Sequence, residues 1–290
     1  MLSKRKKIFR TPINRQLRSY GLSPLKRFSQ NFLVDERIAD KIVDTLKLTV
    51  DDIVIEVGPG LGILTERLLD TGARVLAIEI DRGLADVLSK RFCERDNFEK
   101  IICQDALKVS YKEMANQYGK KCKVVSNLPY NISTPIIFKF LEEREAFSMF
   151  LLMLQKEVAE RIVSRPDTKE YGVLSVLIQL LADVAVEFDV PPSCFYPEPK
   201  VYSSVVRFNI LQRPRIDVDD VVFFKKVVKA AFGHRRKTLL NALKSLKLPS
   251  EQVKEGMKTS GINPQRRGET LSLKEFGILS VALRKRLFQG

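Results

Sequence analysis

Asn127, Leu128, Pro129 and Tyr130 form a short segment whose residue types can hold a flat, amine-bearing ring. They follow an apolar run, Cys122 to Ser126, that predicts a buried strand. The amide oxygen of Asn127 and a backbone carbonyl near Leu128 can each accept a hydrogen from the amine. Proline removes a donor and stiffens the turn, and a tyrosine ring can stack on a base. The same four residues also suit an ordinary turn, so their role depends on what surrounds them.

Three earlier predicted strands also end in residues suited to a nucleoside: Gly58 and Gly60 after 53–57, Glu79 near the end of 74–80, and Asp105 after 99–103. A glycine turn before a helix brings backbone N–H groups close to a ligand. An acid about 20 residues later can accept hydrogen bonds from both ribose hydroxyls. Asp105 can accept from an adenine amine. Each residue could instead serve a turn or a helix cap, but four strand ends that line one crevice predict a nucleoside-containing ligand.

The glycine turn also discriminates between two classes of nucleoside ligand. Dehydrogenases that bind a dinucleotide normally carry G-x-G-x-x-G and bind its pyrophosphate at the start of the following helix. In this chain the turn is Gly-Pro-Gly-Leu-Gly, from Gly58 to Gly62. Glu56 precedes the turn, and its carboxylate would disfavour a diphosphate but suit a cation. S-adenosylmethionine combines an adenosine, an amino group and a sulfonium without phosphate, and therefore fits better than NAD.

Charge and composition narrow the function further. The chain has 290 residues, of which 44% are hydrophobic, and a formal net charge of +15. This charge favours a polyanionic partner such as nucleic acid, although a basic enzyme without such a partner remains the alternative. Four scattered cysteines and one histidine disfavour disulfides, a metal site and most histidine-based catalysis. No apolar run approaches the about 18 residues of a membrane span.

The first 34 residues contain no acidic side chain but many basic ones. Three interpretations stay open for this arm: a solvated tail, a segment that contacts phosphate, and an organelle transit peptide. A Lys-rich opening block and Pro12 weigh against the transit peptide, because they make a poor amphipathic helix.

The remaining pattern predicts how the chain is organised. Further strands at 147–154, 184–190 and 203–211 complete an α/β fold with a seven-stranded mixed sheet of the Rossmann-like class I methyltransferase type. From Val221 onward the apolar spacing is helical, which predicts a small all-α C-terminal domain. We therefore expect a basic arm at 1–24, a methyltransferase domain at 25–212 and a helical RNA-contacting domain at 213–290. Its candidate phosphate contacts are Arg235, Arg236 and Lys237, unless this run is only a solvated helix face.

Several motifs occur in the order found in one family: Phe28 to Leu33, Glu56 to Gly60, Glu79, Asp105, Asn127 to Pro135 and Phe195 to Val201. Together they resemble the ribosomal RNA adenine N6-dimethyltransferases, above all the small-subunit dimethyladenosine transferases of the KsgA or RsmA type. One departure is Tyr202, where the family often has aspartate. The large-subunit enzymes of antibiotic resistance share the Asn-x-Pro-Tyr core, so they remain an alternative.

This resemblance implies an S-adenosylmethionine-dependent enzyme that dimethylates N6 of adenosines, two adjacent ones in the 3′-terminal hairpin loop of small-subunit ribosomal RNA. It implies cofactor contacts at Asn31, Leu33, Gly58, Gly60, Glu79, Asp105 and Asn127. The target adenine would lie at Asn127, Leu128, Pro129 and Tyr130, and Phe195 could stack on its other face. We expect a cytoplasmic monomer that acts on the pre-ribosomal small subunit without membrane or metal. A ribosome-assembly RNA-binding factor with secondary methyl transfer, a mitochondrial homologue with a partner role, and a dehydrogenase are the other hypotheses.

Overall fold

The computed structural model describes residues 13–25, 30–234 and 236–287. The chain divides into two compact units. The first comprises the described residues up to 156 together with 185–210, and the second comprises 157–184 and the described residues from 211 onward. The expected division at residues 24 and 212 stays a prediction. Residues 1–12 of the basic arm and residues 26–29 lie outside the described residues.

The strands of the described residues are β1 (Phe32–Leu33), β2 (Ile53–Val57), β3 (Arg74–Glu79), β4 (Phe98–Cys103), β5 (Cys122–Asn127), β6 (Phe147–Gln155), β7 (Ala182–Val190), β8 (Phe195–Tyr196) and β9 (Ser203–Ile210). The α-helices are α1 (Ile13–Ser19), α2 (Glu36–Leu46), α3 (Ile63–Asp70), α4 (Arg82–Phe92), α5 (Tyr111–Tyr118), α6 (Ser133–Glu142), α7 (Lys156–Val163), α8 (Val173–Gln179), α9 (Val221–Phe232), α10 (Leu239–Leu243), α11 (Ser250–Thr259) and α12 (Leu273–Leu287).

Seven of these strands form one mixed sheet in the order β4-β3-β2-β5-β6-β9-β7. The five strands from β4 to β6 run parallel, and β9 pairs antiparallel with β6. All of β2 is buried, as expected for a parallel strand covered on both faces. This architecture confirms the predicted seven-stranded Rossmann-like fold.

The order of the strands determines where a ligand can bind. From β2 the chain runs outward through β3 to β4, and it then returns to place β5 on the other side of β2. The carboxyl ends of β2 and β5 therefore flank the point where the strand order reverses. Open α/β sheets bind their ligands in the crevice at such a point.

Short polar residues at the strand ends start the helices that surround this crevice. The carboxylate of Asp81 accepts from the backbone N–H groups of Gly83 and Leu84 and thereby caps α4. Asp35 caps α2 in the same way. Such caps satisfy the orphan N–H groups of a first helical turn, so they fix where each helix begins.

Two features of the first unit are not predicted by the sequence pattern. One is α1, whose Leu17 is buried in a small apolar cluster with Phe32, Leu61 and Leu84. The other is a two-stranded antiparallel ribbon in which β1 pairs with β8. The ribbon ties the segment that begins at residue 30 to the loop that contains Phe195.

The second unit is built mainly from helices. Its apolar side chains are buried at helical spacing, including Phe224, Val227 and Val228 of α9 and Phe276 and Leu279 of α12. The helical C-terminal region predicted from this spacing is confirmed. Among the described residues, no helix combines the length and apolar character that a bilayer span requires.

Candidate functional site

A cavity of about 290 Å³ lies within the first unit, at the carboxyl ends of the parallel strands. This volume suits a small-molecule ligand. Ten of the residues predicted to bind cofactor or substrate line it: Asn31, Leu33, Gly58, Gly60, Glu79, Asp105, Asn127, Leu128, Pro129 and Tyr130. The structure therefore brings together residues that the sequence places on four separate strand ends.

The glycine turn after β2 lines this cavity. Gly58 and Gly60 have φ angles of 70° and 60°, in the left-handed region that favours glycine. A Cβ atom at Gly60 would lie 2.9 Å from Cδ1 of Phe32, which is too close without a shift of that ring. Glycine at this turn therefore lets the backbone approach both the neighbouring ring and a ligand.

Glu79 at the end of β3 is held by the backbone on both sides. Its Oε2 accepts from the Gly60 N–H at 3.2 Å, and its Oε1 accepts from the Asp81 N–H at 3.0 Å. The side chain is 5% exposed, and this burial raises the pKa of Glu79 to about 7. Because Asp81 already caps α4, the carboxylate of Glu79 is not required as a helix cap.

Glu56, the acid before the glycine turn, is also buried at the cavity wall. The hydroxyl of Thr65 donates to its Oε2 at 2.6 Å. Burial raises the pKa of Glu56 to about 8, so this carboxyl is mostly protonated at neutral pH when no cation is near. A cationic ligand would favour its ionised form, whereas a diphosphate would not. Glu56 can therefore balance the charge of a cation that ionises it, whereas a diphosphate would leave it protonated.

Asp105 and Ile80 lie on the side of the cavity formed by β3 and β4. Asp105 uses Oδ1 to accept from the Leu107 N–H at 2.9 Å, and so caps the short 3-10 helix Ala106–Lys108. Ile80 lines the same cavity although it is 46% exposed. A carboxylate beside an exposed apolar side chain suits a base that needs both a hydrogen-bond acceptor and an apolar surface.

Asn127 has a defined orientation at the end of β5. Its Nδ2 donates to the backbone carbonyl of Asn31 at 2.8 Å. Since a carbonyl oxygen can only accept, this contact assigns the amide nitrogen to that side and turns Oδ1 to the other. The oxygen predicted to accept from an incoming amine is thus oriented by the segment before β1.

Tyr130 is fixed at both ends of the residue. Its backbone carbonyl accepts from the hydroxyl of Ser133 at 3.0 Å, and its phenol shares a 2.9 Å hydrogen bond with the hydroxyl of Ser203. Ser203 is fully buried at the start of β9. The neighbouring Tyr202 is exposed, and its backbone carbonyl accepts from the Lys156 N–H at 2.9 Å. The hydrogen bonds with Ser133 and Ser203 hold the Tyr130 ring at the cavity wall.

Phe195, the predicted second stacking ring, is not among the residues that line the cavity. It is 4% exposed and packs in the main apolar core, where β8 pairs it with Leu33. A base could reach this ring only if the ring were uncovered. The stacking role of Phe195 stays a prediction.

Of the candidate phosphate contacts, Arg235 lies outside the described residues. Arg236 and Lys237 are exposed in the second unit, between α9 and α10. Their role in RNA binding stays a prediction.

Three residues, Ile13, Ile80 and Ser203, were not singled out from the sequence as residues of the site. Ile80 directly follows Glu79, so its position was open to inference from the strand end. Ile13 and Leu17 show the i, i+4 spacing of a helix face, a weak signal within a basic segment. Ser203 could not be found in this way, because its partner is distant in sequence.

The residues present fit S-adenosylmethionine. A buried acid held towards the cavity suits a pair of ribose hydroxyls, and Asp105 with Ile80 suits an adenine ring. Glu56 can balance a positive charge. The close turn at Gly58 and Gly60 leaves room for contact between the backbone and the ligand.

Comparisons with known proteins show which family this chain resembles over most of its length. Residues 23–283 match the family model described as ribosomal RNA adenine dimethylase. The chain is 46% identical over 261 residues to "Ribosomal RNA small subunit methyltransferase A" of Clostridium acetobutylicum, a match that covers 90% of this chain and 94% of that protein. It is also 46% identical over 270 residues to the protein of the same name from Geobacter metallireducens, covering 92% and 98%.

Solved structures show the same fold. A dimethyladenosine transferase from Plasmodium falciparum superposes with a TM-score of 0.75 at 26% identity, covering 87% of this chain and 97% of that one. The 23S rRNA methyltransferase ErmE superposes with a TM-score of 0.66 at 24% identity, covering 88% and 100%, and shows the fold alone. The predicted enzyme class and its cofactor, S-adenosylmethionine, are confirmed with the family. The chain belongs to the ribosomal RNA adenine dimethylase family.

Proposed function

We propose that the protein transfers methyl groups from S-adenosylmethionine to N6 of adenosines in small-subunit ribosomal RNA, two adjacent adenosines in the 3′-terminal hairpin loop being the targets. The orientation of Asn127 carries the proposal, because its Oδ1 is turned away from Asn31 and can meet an amine. The names of relatives that are 46% identical support the small subunit as substrate.

The cofactor would be held by residues from each strand end. Glu79 would accept from the ribose hydroxyls, and Asp105 from the adenine amine. Backbone groups at Asn31, Gly58 and Gly60 would approach the remainder of the molecule, and Leu33 would supply an apolar contact. When bound, S-adenosylmethionine supplies an electrophilic methyl group on a sulfonium with a neutral leaving group.

The protein has to orient the adenine N6, a poor nucleophile, towards the methyl group of the cofactor. The N6 lone pair of adenine is delocalised into the ring, and hydrogen bonds from N6 to two acceptors direct it. Oδ1 of Asn127 and a backbone carbonyl near Leu128 are these acceptors. Both also favour the positive charge that develops on nitrogen, so they bind the transition state better than the ground state. The proton leaves to water afterwards.

The turn itself shapes the binding place of the base. Pro129 lacks an N–H and therefore presents no donor to the amine. The ring of Tyr130 stacks on the adenine, which must leave its own stack to reach the cavity. Unstacking costs least in a loop or single strand, which favours a hairpin loop as target.

Replacing Ser203 by alanine is expected to lower kcat about fivefold, as estimated from one net hydrogen bond. The substitution removes the hydroxyl that hydrogen-bonds to the Tyr130 phenol, so the ring can move. The affinity for S-adenosylmethionine should stay unchanged, since Ser203 is not among the cavity-lining residues.

A double-mutant cycle isolates this hydrogen bond. Tyr130→Phe and Ser203→Ala should be non-additive in kcat, and Ser203→Thr should restore most of the rate. Fully additive losses would show that Ser203 acts through general stability instead. Ser204→Ala, a neighbouring buried serine that bonds to Asp189, is the matched control.

The helical domain at 213–290 is proposed to contact the RNA backbone. Replacing Arg236 and Lys237 together by alanine should raise KM for ribosomal subunits several-fold and reduce the salt dependence of binding by about two counterions. Both side chains are exposed, so the stability of the fold should not change. The control removes the same charge at Lys254 and Lys258 of α11. An equal effect of both pairs would mean that the charge acts without a local contact.

We further propose that the protein is a cytoplasmic monomer that binds RNA and takes part in small-subunit biogenesis.

Two alternative functions, a large-subunit methyltransferase and a ribosome-assembly factor, can be distinguished by experiment. Isolated small and large ribosomal subunits, each incubated with the protein and tritium-methyl cofactor, should show label in the small subunit only. Label confined to the large subunit would assign the protein to the antibiotic-resistance type. Binding of the small subunit without label in either would indicate an assembly factor.

A further inference from the structure

Helix α1 lies before residue 23, where the match to the family model begins. It is nevertheless anchored in the first unit, because Leu17 is only 2% exposed and packs with Phe32, Leu61 and Leu84. Leu61 belongs to the glycine turn, and Leu84 belongs to the first turn of α4. The helix therefore rests on elements that form the cavity.

The segment that follows α1 is anchored on α4 as well. The Leu22 N–H donates to the carbonyl of Leu17 at 2.8 Å, which turns the chain back at the end of the helix. Cδ2 of Leu22 lies 2.6 Å from the position that a Cβ atom at Gly83 would occupy. Leu22 thus packs directly against the backbone at the start of α4, four residues beyond Glu79.

A series of hydrogen bonds connects the segment after α1 to Glu79. Oε1 of Gln30 accepts from the Leu25 N–H at 2.8 Å, and Nε2 of Gln30 donates to Oδ2 of Asp81 at 3.3 Å. The N–H of Asp81 in turn donates to Oε1 of Glu79. Gln30 is therefore a positioning residue that links residues 13–25 to the acid assigned to the ribose.

Ile13, the first described residue of α1, lines the same cavity as Glu79 and Gly60. We propose that residues 13–25 form a clasp that closes the cofactor cavity on its Glu79 side and retains the bound cofactor. The identity of the ligand as S-adenosylmethionine rests on the function proposed above. The exposed Arg15 and Arg18 belong to the outer face of this clasp.

The clasp has a measurable consequence for affinity. A ligand that needs the closed clasp binds more weakly in proportion to the fraction of molecules that are open. Leu17→Ala removes the main anchor of the helix and should leave the clasp mostly open. We expect about a tenfold rise in the Kd for S-adenosylmethionine, measured by calorimetry on the full-length chain without RNA. Ile13→Ala, which trims the wall but keeps the anchor, should raise Kd about threefold.

Arg15→Ala is the matched control on the same helix, because its side chain is exposed and outside the cavity. It should bind the cofactor as the wild type does. A thermal unfolding scan of each variant separates stability from binding. A lowered Tm of Leu17→Ala with an unchanged Kd would overturn the clasp and leave α1 a purely structural element.

Hydrogen exchange supplies a second readout without mutation. Amides 15–22 of the wild type should exchange several-fold more slowly with saturating S-adenosylhomocysteine, since the ligand stabilises the closed clasp. Unchanged exchange at these amides, with slower exchange at the glycine turn, would contradict the proposal. Wild-type protein that binds no S-adenosylmethionine would instead overturn the proposed function, and the clasp's ligand with it.

Discussion

Asn127→Ala is expected to lower the rate of methyl transfer by about 100-fold or more, while the Kd for S-adenosylmethionine stays within a few-fold of the wild type. The size follows from the loss of one preorganised group that stabilises transition-state charge. Single-turnover methylation of small-subunit ribosomal RNA measures the rate, and calorimetry measures cofactor binding. Asn116→Ala, the same change at an exposed position on α5, is the control.

Asn127→Asp separates the donor contact of Nδ2 with the Asn31 carbonyl from the acceptor function of Oδ1. Aspartate keeps an acceptor oxygen but replaces the nitrogen that donates to the Asn31 carbonyl, so two oxygens would face each other there. We expect this variant to be nearly as inactive as the alanine variant. Wild-type turnover by Asn127→Asp would show that the contact with Asn31 does not orient the catalytic amide. Wild-type turnover by Asn127→Ala would refute the assignment altogether.

Glu79→Ala should raise the Kd for S-adenosylmethionine by about 100-fold or more, because it removes a charged acceptor for two ribose hydroxyls. Calorimetry measures this change, and Glu94→Ala, an exposed acid beyond α4, is the control. An unchanged Kd would exclude the ribose from the Glu79 side of the cavity, and with it the binding mode proposed for the cofactor.

The pKa of Glu79 gives the same contact a pH dependence. Burial raises this pKa to about 7 in the free protein, and ribose hydroxyls that donate to the carboxylate favour the ionised form. Affinity should therefore fall as pH drops from 8 towards 6, by up to about tenfold per unit below the pKa. Glu56, with its pKa near 8, faces the same cavity and adds a dependence of the same sign, because a cation favours its ionised form. Glu79→Gln should remove the part of the dependence centred near pH 7 and leave the part due to Glu56.

The same pKa values predict the opposite trend for the stability of the free protein. Folding raises the pKa of both acids above the unfolded values, so the folded state binds protons that the unfolded state releases. Their contribution is fully present below the unfolded pKa and is lost as pH rises through about 7 to 8. Cofactor affinity and apo stability should therefore change in opposite directions over this range.

The strands and their ends could be predicted because a parallel sheet leaves a clear pattern. Strands covered on both faces appear as continuous apolar runs, and β2 agrees residue for residue with the run at 53–57. The carboxyl ends of such strands gather at one edge, so the sequence alone could assign Gly58, Glu79, Asp105 and Asn127 to one cavity. Their hydrogen bonds could not be predicted, since the partners of Glu79 and Asn127 are backbone groups of other segments.

Other features depend on contacts that local patterns do not contain. The ribbon of β1 and β8 has two residues in each strand, too few for a period. The burial of Phe195 follows from that ribbon, because its pairing with Leu33 draws the ring into the core. Helix α1 carries few apolar residues within a basic segment, so composition favours a tail or a phosphate-binding arm. Its position is set instead by a tertiary contact, the burial of Leu17.

In the proposed function, the cavity at Asn127 presents adenosines of small-subunit ribosomal RNA to a methyl donor. Mass mapping of that RNA, after incubation of unmethylated small subunits with S-adenosylmethionine and either wild-type or Asn127→Ala protein, tests it most directly. We predict N6,N6-dimethyladenosine at two adjacent positions of the 3′-terminal hairpin with the wild type, and about one hundredth as much or less with the variant after the same time. RNA that stays unmodified with folded, cofactor-binding wild-type protein, or equal modification by both proteins, would contradict the proposed function.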